Sequence, residues 1–392
     1  MTSHATCIRP SLFAIFRAFL RLGLTAFGGP AMVPYIRTMA VDKKHWLDET
    51  TFRTGVALTQ AIPGATAMQV AAYVGLRARG AVGALAAYLG FGLPAFFLVL
   101  ALSFIYVKYN DVSWVLTAFA GLKIMIVALV AHACLNFLLK YVKNPVDICL
   151  AVGSGLWLGF RLSPIPAILG ACALGMILYK QITQGAPLSD QARECGKVRV
   201  WRPVILSVLV LVAGLAALYF FDQEIFDLAL LMAKIDMFAF GGGYVSVPLM
   251  LHEVVEARGW MTAQTFMDGI AMGQVTPGPI VMTATFLGYF LFGLVGAVVA
   301  TIYVFAPSYL ILAATVPFVD RLLGSVLFQR ALRASLVTLV GLMAAVTVRF
   351  GLAISWDWLS VLLGLAAFTA LRLGVDVLWV VLAGAGLALV LL

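Results

Sequence analysis

AFGGPAMVP at residues 26–34 and AFGGGYVSVP at residues 239–248 are two versions of one phrase, starting 213 positions apart, and the rest of the chain is read from them. Further pairs hold the register. Pro34 matches Pro248, Trp46 matches Trp260, Phe52 matches Phe266, Gly55 matches Gly269, Gln60 matches Gln274, and Pro63-Gly64 matches Pro277-Gly278, all after a one-residue insertion. A reverse shift then aligns Gly80, Gly83 and Pro94 with Gly293, Gly296 and Pro307. Accidental matches in apolar sequence fall on Leu, Val or Ala. Matches in Gly, Pro, Trp and Gln point to a duplicated chain, because glycine and proline do backbone work that other residues cannot do.

What is duplicated is apolar. The 392 residues are 63% hydrophobic and 11% charged, with a mean hydropathy of +1.05, far from the mix of a soluble domain. Backbone groups in lipid must bond within their own segment, so the long apolar runs predict an all-α polytopic membrane protein. A transmembrane barrel would show short alternating strands, which are absent here. The first half holds six segments, near 11–38, 50–77, 80–107, 112–140, 145–160 and 163–180. The second holds six near 226–251, 264–291, 293–318, 329–350, 353–370 and 373–392, and an unmatched one lies at 203–221. Thirteen spans follow. Because 145–160 and 353–370 are short, ten to thirteen segments with reentrant pieces is the range.

The extra segment turns the second half over, giving two inverted-topology repeats with broken helices. The expected organisation is a repeat at 1–180, a cytoplasmic linker at 181–202, an inverting helix at 203–225 and a second repeat at 226–392. Arg77, Arg79, Lys140, Lys143, Arg321, Arg330, Arg333 and Arg372 then share one side with the linker, which the positive-inside rule makes cytoplasmic. That bias also accounts for the formal net charge of +9 without nucleic acid, since the cations are scattered among short loops. The first ten residues are polar and lead into a segment the repeat requires, so no cleaved signal is expected. The five cysteines form no CxxC pair, and neither a metal nor a cofactor is expected.

Transporters built from inverted repeats bind substrate where broken helices meet near the midplane. Here the breaks come in pairs: Gly28, Gly29 and Pro30 with Gly241, Gly242 and Gly243, and Pro63-Gly64 with Pro277-Gly278. The residues after each Pro-Gly pair start a half-helix with free amides and a positive dipole end, which suits an anion. Gln60, Thr66 and Gln69 in one half, with Gln274 and Thr283 in the other, add uncharged hydrogen-bonding groups. Arg21 and Lys234 each lie six residues before the phenylalanine of the phrase and are the expected counter-charges, Asp236 being a nearby partner for Lys234. Lys123, His132 and Asp236 are candidates for coupling to a proton. Single glycines and prolines in membrane helices are more often packing or kink residues, so the weight rests on the four breaks as a set.

These motifs resemble those of the chromate ion transporter family, long bidomain type: FGGP from Phe27, Trp46, QAIPG from Gln60, the GAVGALAAYLGFGLP run ending at Pro94, then FGGGYVSVP from Phe240, Trp260 and QVTPGP from Gln274. The resemblance implies chromate export across the cytoplasmic membrane and chromate resistance, with sulfate as a competing anion. The rivals are a carrier of sulfate or another anion, an anion channel, and an intramembrane enzyme. No HExxH, paired catalytic carboxylates or nucleophile motif supports the last, and the acidic residues fall mostly in the loops. The expected surroundings are a lipid bilayer; the oligomeric state stays open, a homodimer being one option.

Overall fold

The computed structural model describes residues 10–26, 32–109, 112–183 and 201–391. Its regular elements are helices. In chain order they are α1 (Leu12–Thr25), α2 (Met32–Arg37), α3 (Glu49–Ala61), α4 (Thr66–Tyr109), α5 (Ser113–Tyr141), α6 (Pro145–Gly159), α7 (Pro164–Leu178) and α8 (Trp201–Phe221). Then come α9 (Gln223–Met237), α10 (Ser246–Met250), α11 (Ala263–Val275), α12 (Thr283–Thr315), α13 (Val319–Gly324), α14 (Val326–Leu352), α15 (Trp358–Arg372) and α16 (Val377–Leu391). The starts of α5, α6 and α7 at residues 113, 145 and 164 recur at 326, 358 and 377 for α14, α15 and α16. α3 and α11 are each 13 residues long. α2 and α10 both run into π-helical turns, at Thr38–Lys43 and Leu251–Ala257.

The segments at 50–77 and 264–291 are not straight spans, which corrects the hydropathy picture. Gly55 packs against the ring of Tyr73 with no room for a Cβ, and Gly269 packs in the same way against Phe286. Each pair flanks a Pro-Gly tip, so α3 and the first arm of α4 form an antiparallel hairpin, as do α11 and the first arm of α12. The reversal needs a positive φ, supplied by Gly64 at 122° and Gly278 at 138°. Beyond each hairpin the chain turns again at Gly80 (φ 69°) and Gly293 (φ 61°), where non-helical residues interrupt α4 and α12. Gly75 then lies against the backbone of Gly83, and Gly288 against that of Gly296. Lys234 reaches Glu253 at 2.6 Å, so α9 and the turns after it also double back. The fold-backs therefore lie in these hairpins, while the short segments at 145–160 and 353–370 are regular helices.

Five helices are long and apolar enough to cross a membrane: α4, α5, α8, α14, and α12 with its flanking turns; α6, α7, α15 and α16 are shorter apolar helices. The chain is a multi-pass membrane protein. The second arms of α4 and α12 run antiparallel, with the Tyr88 hydroxyl donating to Phe305 O at 2.8 Å and the Tyr309 hydroxyl to Ala81 O at 3.3 Å. α5 packs on α15 and α16 through Gly364, Gly384 and Gly121, while α14 packs on α6 and α7 through Gly341 and Gly175. Each half thus lends its long helix to the other half's terminal pair, and small residues at the crossings allow close approach. Asp147 fixes one such crossing, accepting from Arg333 at 2.9 Å and from the Tyr179 hydroxyl at 2.5 Å. Leu206, Val210, Phe220 and Phe221 of α8 stay exposed, the condition of a helix facing hydrocarbon.

Candidate anion site

The Pro63-Gly64 tip meets the second-half glycine break. Gly64 N donates to Ala239 O at 3.0 Å, and Pro63 pairs with Phe240 in an isolated antiparallel bridge. The tip is braced by Gln69, whose amide donates to Pro63 O at 2.7 Å and to Ser308 O at 3.2 Å, leaving its own buried oxygen without a partner. Gly64 packs against Ser308, and Gly278 correspondingly against Ala95. Gly241 and Gly242 carry φ of 93° and 106°, and Gly242 sits beside Thr66. Between these parts lies a cavity of about 360 Å³, lined by Gln60, Thr66, Gly241, Gly242, Gly243, Pro279, Ile280 and Lys140, among others. Its polar groups are the start of α4 and the glycine backbone, where amides lack intrahelical acceptors.

Lys140 is the residue that sequence reasoning placed in a loop. It stands in the last turn of α5, its ammonium 5.0 Å from the ring centroid of Tyr141, and no ion pair is formed by it among the described residues. A signal was present in the sequence: His132, Asn136 and Lys140 follow one another at i, i+4 spacing along one face of α5.

The expected residues divide into three groups. Gln60, Thr66, Gly241, Gly242 and Gly243 line the cavity. Pro63, Gly64, Gln69, Gln274, Pro277, Gly278 and Thr283 are buried around the tips, Thr283 donating to Ile280 O at 2.8 Å. Gly28, Gly29 and Pro30 lie outside the described residues. Neither expected counter-charge lines the cavity. Arg21 is exposed on α1, and Lys234 pairs with Glu253, which also binds Arg258. Asp236 is not its partner, since that carboxylate accepts from Ser308 N at 2.6 Å and Ser308 Oγ at 2.5 Å. His132 is engaged by Asn136 at 2.8 Å and edges onto Phe368. Lys123 lies 3.5 Å from Asp268, which also accepts from the Tyr106 hydroxyl at 2.9 Å.

The acidic residues are not confined to loops. Asp147, Asp236, Glu253 and Asp268 are buried in helical segments, and three of the four find a cation contributed by a distant part of the chain. The site is also lopsided. Pro34 and Gln60 are exposed and Thr66 half-buried, whereas their second-half counterparts Pro248, Gln274 and Ile280 are all buried. The cavity is thus flanked by exposed residues on the Pro34 and Gln60 side, and the matching second-half positions are packed.

The family described as Chromate transporter matches this chain twice, over residues 13–176 and 226–389. An uncharacterized transporter of Methanocaldococcus jannaschii is 44% identical over 374 residues, covering 95% of this chain and 92% of the relative. A chromate transport protein of Pseudomonas aeruginosa is 31% identical over 389 residues, covering 92% of this chain and 85% of the relative. A chromate transport protein of Cupriavidus metallidurans is 28% identical, covering 77% of this chain and 73% of the relative. No solved structure matches.

Proposed function

The chain belongs to the chromate transporter family, and from that premise we propose that it is a secondary transporter carrying chromate out of the cytoplasm across the inner membrane, so conferring chromate resistance. The single observation that carries the assignment to a site is the glycine-lined cavity with an unpaired Lys140 at its wall. A tetrahedral dianion asks for several donors and some positive charge. Free amides at the start of α4 and along Gly241 to Gly243 supply the donors, Gln60 and Thr66 add side-chain groups, and Lys140 supplies the charge in place of Arg21 and Lys234. The open end of the cavity is the end of Lys140, Lys143, Arg77 and Arg79, cytoplasmic by the positive-inside rule, so this is the loading state.

In this reading the two halves are inverted repeats that rock about the tips, closing the Gln60 side as the Gln274 side opens. Coupling to a proton is assigned to Asp236. Sulfate, of the same shape and charge, competes for the site. The test is chromate uptake into everted membrane vesicles. Wild-type uptake should saturate and be inhibited by sulfate, and Lys140→Gln should raise KM roughly tenfold to a hundredfold, the worth of one charged hydrogen bond, with Lys140→Arg recovering part. Lys140→Gln transporting like wild type at normal membrane levels would sink the assignment.

A further inference from the structure

A second hollow, of about 440 Å³, adjoins the anion cavity and shares Val33, Pro34 and Gln60 with it. Its outer wall carries Arg37, Glu49 and Arg53. The Glu49 carboxylate is shared between two guanidiniums: Arg53 donates from Nε at 2.7 Å to one oxygen, and Arg37 donates from Nε at 2.9 Å to the other. Arg37 is also held by Asp42 at 3.0 Å. Arg53 forms no other ion pair among the described residues, and its side chain is 78% exposed. The hydrogen bond from Arg37, before any other cause, holds the Glu49 carboxyl below the ordinary carboxylate range, so it is ionised at neutral pH.

The second half does not repeat this trio. In the register set by Pro34 with Pro248 and Gln60 with Gln274, the counterparts of Arg37, Glu49 and Arg53 are Leu251, Ala263 and Met267. The glutamine is kept at both ends, whereas this exposed, shared carboxylate stands at one only, the second half placing its charges at other positions on the buried Glu253 and Glu256. A feature needed merely to seat a hairpin would serve both hairpins. One placed at the open end alone fits a task done at that end.

We propose that the hollow between α2 and α3 is a loading site for the oxyanion dianion, in which Glu49 is a tethered carboxylate that the substrate displaces from Arg53 and Arg37 before passing Gln60 into the cavity. The proposal rests on the transport of an oxyanion proposed above. The chemistry suits the exchange. A guanidinium binds a carboxylate and a tetrahedral oxyanion through the same pair of parallel donors. The Arg53–Glu49 contact is an exposed i, i+4 pair, weak enough for a dianion to break. Glu49 then keeps the arginines from holding a dianion so tightly that it stalls at the mouth, and it turns away monovalent anions, which offer less charge in exchange.

The experiment measures equilibrium binding of labelled chromate to the purified full chain in detergent, alongside initial uptake rates in everted vesicles at low and high ionic strength. Glu49→Gln frees Arg53 and leaves Arg37 with Asp42 alone, and should tighten binding and lower KM by roughly two- to fivefold, the scale of an exposed ion pair. Arg53→Gln should raise KM by about the same factor at low salt, the difference from wild type shrinking as salt screens the site, while the maximal rate is unchanged. Arg53→Lys keeps the charge and should retain the salt dependence while losing part of the affinity. An exposed side chain makes Arg53 a safe position for replacement. Unaltered or weaker binding in Glu49→Gln, or an Arg53→Gln KM equal to wild type at low salt, overturns the loading site. Wild-type transport by Lys140→Gln beside the expected Glu49 and Arg53 effects would instead remove the central cavity and leave the loading site standing. Failure of the wild-type protein to bind chromate overturns both.

Discussion

Asp236 is 1% exposed on α9, and its carboxylate accepts two hydrogen bonds from Ser308 while forming no ion pair among the described residues. Ser308 in turn is packed against Gly64 and accepts from Gln69 at 3.2 Å, so the carboxylate is one side chain away from the meeting point of the two halves. A lone charge in that position is costly, and taking up a proton removes the cost. Asp236→Asn keeps an acceptor oxygen for Ser308 and should leave membrane levels normal, but uptake in everted vesicles should cease to respond to an imposed proton gradient. A gradient response equal to wild type would end the coupling assignment. Asp236→Ala leaves the Ser308 N–H unpaired and should cost about 1–3 kcal/mol of stability besides. At this scale the sequence is informative where residue type restricts the backbone: Gly64, Gly241, Gly242 and Gly278 all take positive φ, as breaks should. It is uninformative where a partner comes from far along the chain. Asp147 finds Arg333 and Asp268 finds Lys123, and no local pattern announces either pair.

The elements repeat the lesson in another form. Hydropathy reports how many apolar residues follow one another, and a helical hairpin has the same apolar length as a straight span. The 50–77 segment therefore looks like one crossing, although Tyr73 folds back onto Gly55. In a straight helix those residues would be about 27 Å apart at 1.5 Å per residue, too far to influence each other. The hairpin makes them neighbours. Gly55→Ala should destabilise the solubilised protein by about 1–3 kcal/mol through overpacking against the ring, and Tyr73→Ala in the same chain should relieve most of that loss. Thermal unfolding of the two single variants and the double variant measures the coupling; additive effects would mean a straight segment. The reason for the fold-back is visible in the letters once the geometry is known, because proline ends α3 and the glycine after it reverses the chain.

For the whole molecule, the question is what lets one end of a nearly symmetric body open while the other stays shut. The closed end is tied by charge. Glu253 binds Lys234 and Arg258, and Glu256 binds His252 and Arg349, which also donates to Leu158 O at 2.5 Å, so the π-helical turn after α10 is fastened to α9, α14 and α6. At the open end, the ion pairs among the described residues are the more exposed contacts of Arg37 with Asp42 and of Arg37 and Arg53 with Glu49, which hold α2 to the start of α3. In the alternating-access reading proposed above, opening outward breaks the first set, whose carboxylates are buried where those of the second set are partly exposed, and a buried charge left unpaired costs far more than an exposed one. The resting chain should therefore favour the inward-open state. In a protein whose native cysteines are replaced by serine, Gln60→Cys should react with a membrane-impermeant thiol reagent applied from the cytoplasmic side, and Gln274→Cys should stay protected from the periplasmic side. Adding Glu253→Gln removes one fastening and should raise Gln274→Cys labelling severalfold while lowering that of Gln60→Cys, because the two exposures belong to opposite states of one equilibrium. Equal labelling of both positions before the fastening is cut, or a rise at both after it, would mean a continuous pore with no alternation.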